Sequence, residues 1–202
     1  MTEQDAQRYL LNANEKTLGD IGEWFWQAVF RNSTVGYIPL AKIANGGAPR
    51  VELTNGGVVV PDFDCSADRW CAFVDSKCKK NVVLWRRSRQ LRHGIDKSHW
   101  EQYLECSRRY RKRCAIGVFE CFDDNDKWSG EYMIETFDEL SAPYFGESNQ
   151  AHMVYWAKKA FRNLGMITAS ELSDIIHGRK KAPPCSYELE MVFARPKQGD
   201  LF

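Results

Sequence analysis

Pro61–Lys80, PDFDCSADRWCAFVDSKCKK, decides how this chain is read. It holds most of two apolar runs, VVVPDF (58–63) and CAFVDSK (71–77), that have the composition of buried strands. Yet each run carries an acid, and the second adds a lysine two residues after its acid. In an extended strand alternate side chains share a face. Phe73, Asp75, Lys77 and Lys79 then point one way and Ala72, Val74, Ser76 and Cys78 the other, while Val58, Val60, Asp62 and Asp64 share a face upstream. If the two strands are neighbours, Asp62 and Asp75 converge at one end of a sheet. Two carboxylates ~4 Å apart repel by about 4 kcal/mol at an effective dielectric of 20, against a total stability of ~5–15 kcal/mol for a domain. A compensating cation is therefore expected. The plain structural alternative is a buried Asp–Lys ion pair, with Asp62 capping a turn after Pro61.

The rest of the chain sets the context. Its 202 residues are 44% hydrophobic, 13% aromatic and 27% charged, the profile of one folded domain with a proper core rather than a disordered polymer. No apolar run approaches the ~18 residues that span a bilayer, and the polar start MTEQDAQRYL lacks the apolar segment of a secretory signal. A cytoplasmic protein with no membrane partner is expected. Seven cysteines, an odd number with no C-x-x-C pair, predict reduced, buried thiols rather than a disulfide framework or structural zinc. No G-x-x-x-x-G-K-[ST] loop is present, so nucleotide hydrolysis by the chain itself is not expected. Net charge is only +1, but Lys77–Arg113 holds thirteen Lys and Arg against Asp96, Glu101 and Glu105. A basic block in an otherwise acidic chain suits a polyanion.

Periodicity predicts a short helix over the first dozen residues and a longer one from Thr17, TLGDIGEWFWQAVFRN. In the latter Leu18, Ile21, Phe25, Ala28 and Val29 form a stripe, and Glu23 sits in a greasy setting near Phe30. Val35–Leu40 reads as a strand, 41–50 as a loop and 51–57 as a short strand. CSADR (65–69) reads as a turn between the two central strands, and NVVLW (81–85) as a continued strand. RRSRQLRHGIDK (86–97) reads as an exposed basic loop, and a helix follows with Ser98 as its N-cap. CAIGVFECF (114–122) and EYMIETF (131–137) read as strands around a DDNDKWSG loop. QAHMVYWAKKAFRNL (150–164) and TASELSDIIHG (168–178) read as helices, and YELEMVFA (187–194) as a closing strand. One mixed α/β domain over 1–202 fits, with a core at about 17–137 and a C-terminal helical and strand extension at about 138–202.

Pro-Asp followed at moderate distance by Asp-Ser-Lys resembles the signature of the PD-(D/E)XK nuclease superfamily, with Asp62 as its first acid and Asp75 and Lys77 as its D/E-x-K. Glu23, in the helix before the sheet, and Gln102, in the helix after the lysine strand, match further positions of its resolvase-like branch. The resemblance covers roughly residues 17–137. It implies a restriction-endonuclease-like core, a mixed central β-sheet flanked by helices, and metal-dependent hydrolysis of phosphodiesters. Mg²⁺ (or Mn²⁺) would be held by Asp62, Asp75, the Ser76 carbonyl and Glu23, with Lys77 orienting water. Asp64, two residues on, is the alternative to Asp62, and Asp75 stands where glutamate is commoner. Catalytic roles are thus expected for Glu23, Asp62, Asp75, Lys77 and Gln102, and nucleic-acid contacts for Lys79, Arg86, Arg87, Arg89 and Arg92. The implied partner is DNA, with RNA as a second polymer and a homodimer as a further option. The rival reading is a non-catalytic nucleic-acid-binding protein on the same fold.

Overall fold

The computed structural model describes residues 15–40, 49–51, 57–80, 83–85, 90–124, 127–140, 144–145 and 152–194. Helix α1 (Glu15–Asn32) forms where Ile21, Phe25 and Val29 recur at helical spacing, and Trp26 and Phe30 widen that stripe. All five are fully buried. Thr34, in the left-handed region at φ 57, turns the chain out of the helix into strand β1 (Gly36–Pro39). A short ladder of β2 (Arg50–Val51) and β3 (Val58–Val59) precedes β4 (Phe63–Ala67) and β5 (Trp70–Lys79). The run VVVPDF is therefore two strands and not one. Pro61 has no N–H to give to a ladder, and the chain bends between Val59 and Phe63.

After β5 the chain forms β6 (Val83–Trp85), β7 (Gln90–Asp96), helix α2 (Lys97–Tyr110), β8 (Arg113–Asp124) and β9 (Lys127–Thr136). It ends with β10 (Tyr144–Phe145), β11 (Met153–Ala157), a 3₁₀ turn (Lys158–Ala160), β12 (Arg162–Thr168), α3 (Ala169–Ile176) and α4 (Ser186–Phe193). The central sheet has six strands in the order β1-β4-β5-β8-β9-β12. Only β5 and β8 are parallel within it, and a parallel pair requires a crossover, which α2 supplies. A second, antiparallel sheet runs β10-β11-β7-β6.

The two faces of β5 are buried against different layers. Ala72 and Val74 join the cluster built on α1, which also takes Leu172 and Ile175 from α3 and Leu189, Val192 and Phe193 from α4. Phe73 joins the opposite cluster, with Tyr103 and Cys106 of α2 and Ile95, Val154 and Trp156 of the second sheet. Both faces being covered explains the unbroken apolar run through Val74. The described helices α3 and α4 thus contribute to the same buried cluster as α1.

Several sequence expectations are corrected here. Of the helix expected over 150–164, the described residues 152–164 are strand, 3₁₀ turn and strand instead. Val154, Tyr155 and Trp156 are strong strand formers, and their ladder with β7 buries all three. YELEMVFA is helix rather than strand, because Leu189, Val192 and Phe193 reach the core at helical spacing and Phe193 stacks on Trp70 at 4.4 Å. The basic loop ends early, since Gln90–Asp96 pairs as β7, and Asp96, not Ser98, holds the N-cap position of α2. The DDNDKWSG stretch belongs to the β8–β9 hairpin over its described part. The helix expected over the first dozen residues lies outside the described residues. Among the described residues, six cysteines are free thiols and no helix is long and apolar enough to cross a membrane.

Two glycines set how closely α1 approaches the sheet. A Cβ at Gly22 would stand 3.2 Å from the backbone nitrogen of Cys78, and one at Gly117 of β8 would meet the Trp26 indole at 2.6 Å. Gly117→Ala must therefore push α1 outward, and a loss of about 1–3 kcal/mol is expected, read from urea unfolding. An unchanged midpoint would show that Trp26 is free to move.

Candidate active site

Strand β4 leaves β5 at the Phe63–Val74 pair, which puts Asp62 beside the stretch where β5 turns polar. There Asp62 Oδ2 accepts the Ser76 backbone N–H at 2.7 Å and the Ser76 hydroxyl at 2.9 Å. Asp75 lies on the other face and is completely buried. Its Oδ1 accepts from Lys77 Nζ at 2.9 Å and from the Tyr103 hydroxyl of α2 at 2.8 Å. Its Oδ2 is 2.8 Å from Lys77 Nζ as an ion pair but receives no aligned hydrogen bond. The alternation read from the sequence therefore holds along β5, with Ser76 and Cys78 facing α1, and Asp75 and Lys77 facing α2.

Asp62, Ser76 and Lys77 open onto a cleft of about 530 Å³. Gly19 and Glu23 of α1 form one wall, Asp62 and Ser76–Lys80 the floor, and Asp96 and His99 the opposite wall. The acids outnumber what one ammonium group can satisfy. Burial, then the charges of Asp75 and Glu23, push the Asp62 carboxyl up to about 7, against the opposing pull of Lys77 and the Ser76 hydrogen bond. Burial works to lower Lys77, but Asp75 and Asp62 together outweigh it and raise this lysine above its ordinary value. Burial, then the neighbouring Lys77 charge, lower Lys79.

The structure brings Glu23, Asp62, Ser76, Lys77 and Lys79 to one cleft, with Asp75 joined to it through Lys77. Asp64 stands elsewhere: both its oxygens are 2.7 Å from Lys112 Nζ, beside a separate apolar groove. Gln102 does not line the cleft. Its Oε1 accepts the Val59 N–H at 2.8 Å and its Nε2 donates to the Ser98 carbonyl at 3.1 Å, so it ties β3 to α2 ahead of Pro61 and Asp62. Arg92, expected on an exposed loop, is only 2% exposed inside β7, where strand pairing has taken it out of solvent. Arg86, Arg87 and Arg89 lie outside the described residues.

Sequence reading passed over Tyr103, Asp96 and His99. Tyr103 carries no motif signal of its own, yet a buried tyrosine needs a partner for its hydroxyl. Its position four residues after His99 on one helix face was the available signal; the partner, Asp75, is visible only in space.

Among the described residues no three His, Cys, Asp or Glu side chains are already gathered as a metal cage. The donors that are present are nonetheless hard oxygens: Asp62, the buried Oδ2 of Asp75, and Glu23 on the cleft wall. This set fits Mg²⁺ or Mn²⁺, which take one or two carboxylates and fill the remaining positions with water and substrate. Lys77 currently supplies the compensating charge at Asp75.

Asp62 generates a test in metal-free buffer. An acid raised from 3.8 to about 7 leaves the folded protein holding a proton the unfolded chain has released. Stability should therefore fall as pH rises through that window. Asp62→Asn removes the ionisation, so its melting temperature should exceed wild type by about 2–4 °C or more at pH 8, the shift that ~1 kcal/mol produces at this size. The gap should shrink towards pH 5; a gap independent of pH would refute the raised carboxyl.

No protein-family model and no curated protein sequence matches the chain. Among solved structures it is similar to Hjc, a Holliday junction resolvase of the archaeal hyperthermophile Archaeoglobus fulgidus. The TM-score is 0.35 and the identity 12%, over 76% of this chain and 97% of that one. A likeness that distant assigns neither a family nor an activity, so the chemistry has to be argued from the side chains at the end of β5.

Proposed function

We propose that this protein is a divalent-metal-dependent nuclease of the PD-(D/E)XK type acting on DNA. The observation that carries the reading is that three successive residues of one strand end, Asp75, Ser76 and Lys77, hold a buried Asp75–Lys77 ion pair on one face and the Asp62 carboxyl, bonded to Ser76, on the other, with Asp62, Ser76 and Lys77 lining one cleft. Support also comes from the order helix, three strands, helix, strand in α1-β1-β4-β5-α2-β8, with β5 and β8 parallel. A mixed central sheet with helices on both faces agrees with the architecture that the resemblance implies.

Asp62 and Asp75, with the Ser76 carbonyl and Glu23, would hold the ion. Bound there, it supplies Lewis-acid polarisation of a phosphodiester oxygen and charge compensation for the leaving group. Lys77, once released from Asp75, orients the attacking water and sets a positive charge beside the phosphorus as negative charge builds there. Lys79 and Lys80, on the cleft floor, draw in the backbone phosphates, with Arg86, Arg87 and Arg89 following in sequence. The closed Lys77–Asp75 pair favours a second reading, a protein that binds nucleic acid without cutting it.

The buried pair governs the choice of variants. Lys77→Ala would leave Asp75 charged, buried and uncompensated, at a cost of about 3–5 kcal/mol, so loss of cutting by that variant would be ambiguous. Asp62→Asn and Asp75→Asn keep shape and remove charge. With supercoiled plasmid and Mg²⁺ or Mn²⁺, each should cut at least about 10²–10⁴-fold more slowly than wild type while retaining its circular dichroism spectrum. Wild-type cutting that persists in EDTA or in either variant refutes the proposal. Salt-sensitive retardation of DNA without any cutting would instead establish the binding protein.

A further inference from the structure

The acid of the Asp-x-Lys element is held from outside its own sheet. Tyr103 is 3% exposed, and its ring has Phe137 as a near-parallel neighbour at 6.3 Å and His99 as a second at 6.0 Å. Its carbonyl accepts from the Cys114 thiol of β8 at 3.2 Å. A buried ring with aromatic neighbours, on a helix tied through its backbone to β8, has little room to follow Asp75 to a new position. Its hydroxyl, 2.8 Å from Asp75 Oδ1, is a fixed point. Lys77 is the opposite kind of partner: it spans both oxygens of Asp75, opens onto the cleft and has four side-chain torsions to move through.

The two oxygens of Asp75 therefore differ. Oδ1 accepts two hydrogen bonds, and one of them, from Tyr103, survives the departure of Lys77. Oδ2 has only the ion-pair contact with Lys77 and no aligned donor. We propose that Tyr103 is the positioning residue of the site: by pinning Oδ1 it fixes the rotamer of Asp75 and reserves Oδ2 as the oxygen that coordinates the divalent ion when Lys77 leaves. The proposal rests on the metal-dependent reading above and deepens it. It also accounts for aspartate where glutamate is commoner. A glutamate at position 75 would carry its carboxyl one methylene beyond the place where the Tyr103 hydroxyl waits. Outer hydrogen bonds of this kind orient metal ligands, and losing one typically costs 10–100-fold in metal affinity or activity.

The test is Mn²⁺ binding by the full chain without DNA, read from the free-Mn²⁺ electron paramagnetic resonance signal. Tyr103→Phe should weaken Mn²⁺ binding about 10–100-fold. Tyr132→Phe, which removes a buried tyrosine hydroxyl on the α1 side of the sheet, should leave it unchanged. 4-Aminophenylalanine placed at position 103, which keeps a donor at the same point, should restore most of the affinity. Should Tyr103→Phe fail to fold, 4-fluorophenylalanine at that position fills the volume without donating a proton, and the same loss is expected. Equal Mn²⁺ affinity in wild type and Tyr103→Phe, or an equal loss in Tyr132→Phe, overturns the role of Tyr103 alone. A wild type that binds no Mn²⁺ overturns the metal site itself and this role with it.

Discussion

A carboxylate with no exposure at all, Asp75, sits in the middle strand of a sheet whose neighbouring positions are Val74, Ile116 and Phe73. Transfer of such a charge out of water is among the most expensive events in folding unless it is paired and hydrogen-bonded. Lys77 supplies the charge and Tyr103 the neutral donor. Both depend on topology. Lys77 reaches Asp75 because residues two apart on a strand share a face. Tyr103 reaches it because the parallel β5–β8 pair forces a crossover, and the crossover helix lies over that face.

The opposite face is arranged for approach rather than for pairing. Gly22 and Gly117 remove the side chains that would hold α1 away from β5 and β8, and Trp26 occupies the space over Gly117. Close seating carries Glu23 to the cleft wall, near enough for its charge to act on Asp62. The candidate site thus lies where a helix from each side of the sheet meets the polar end of one strand.

A second polar knot joins the two sheets. His93 of β7 is 3.2 Å from Glu120 of β8, and Lys158 reaches Glu120 at 2.8 Å and Glu131 of β9 at 2.5 Å. Asn163 of β12 also donates to Glu131. This chain of polar contacts secures β7 and β11 over the far part of the central sheet, and so secures the strand that leads into Asp96 and α2. These residues gave no sign of mutual contact in the sequence, because 93, 120 and 131 lie on three separate strands and 158 in the 3₁₀ turn, and only the fold brings them together.

Three local features are legible in the bare sequence: the buried stripe of α1, the alternation along β5, and the incompatibility of Asp62, Asp75 and Lys77 with an ordinary apolar sheet. Periodicity and charge are properties of neighbouring residues, so they survive without coordinates. Only the tertiary structure decided what partners each group. It separated Asp64 from Asp62 by handing it to Lys112, buried Arg92, turned Gln102 towards β3 and brought Tyr103 onto Asp75. It also made strands of Met153–Ala157 and a helix of Ser186–Phe193, where the sequence pattern reads as helix and strand respectively. Short segments with ambiguous periodicity take the form that buries their large side chains, and the surface against which they are buried is built by residues tens of positions away.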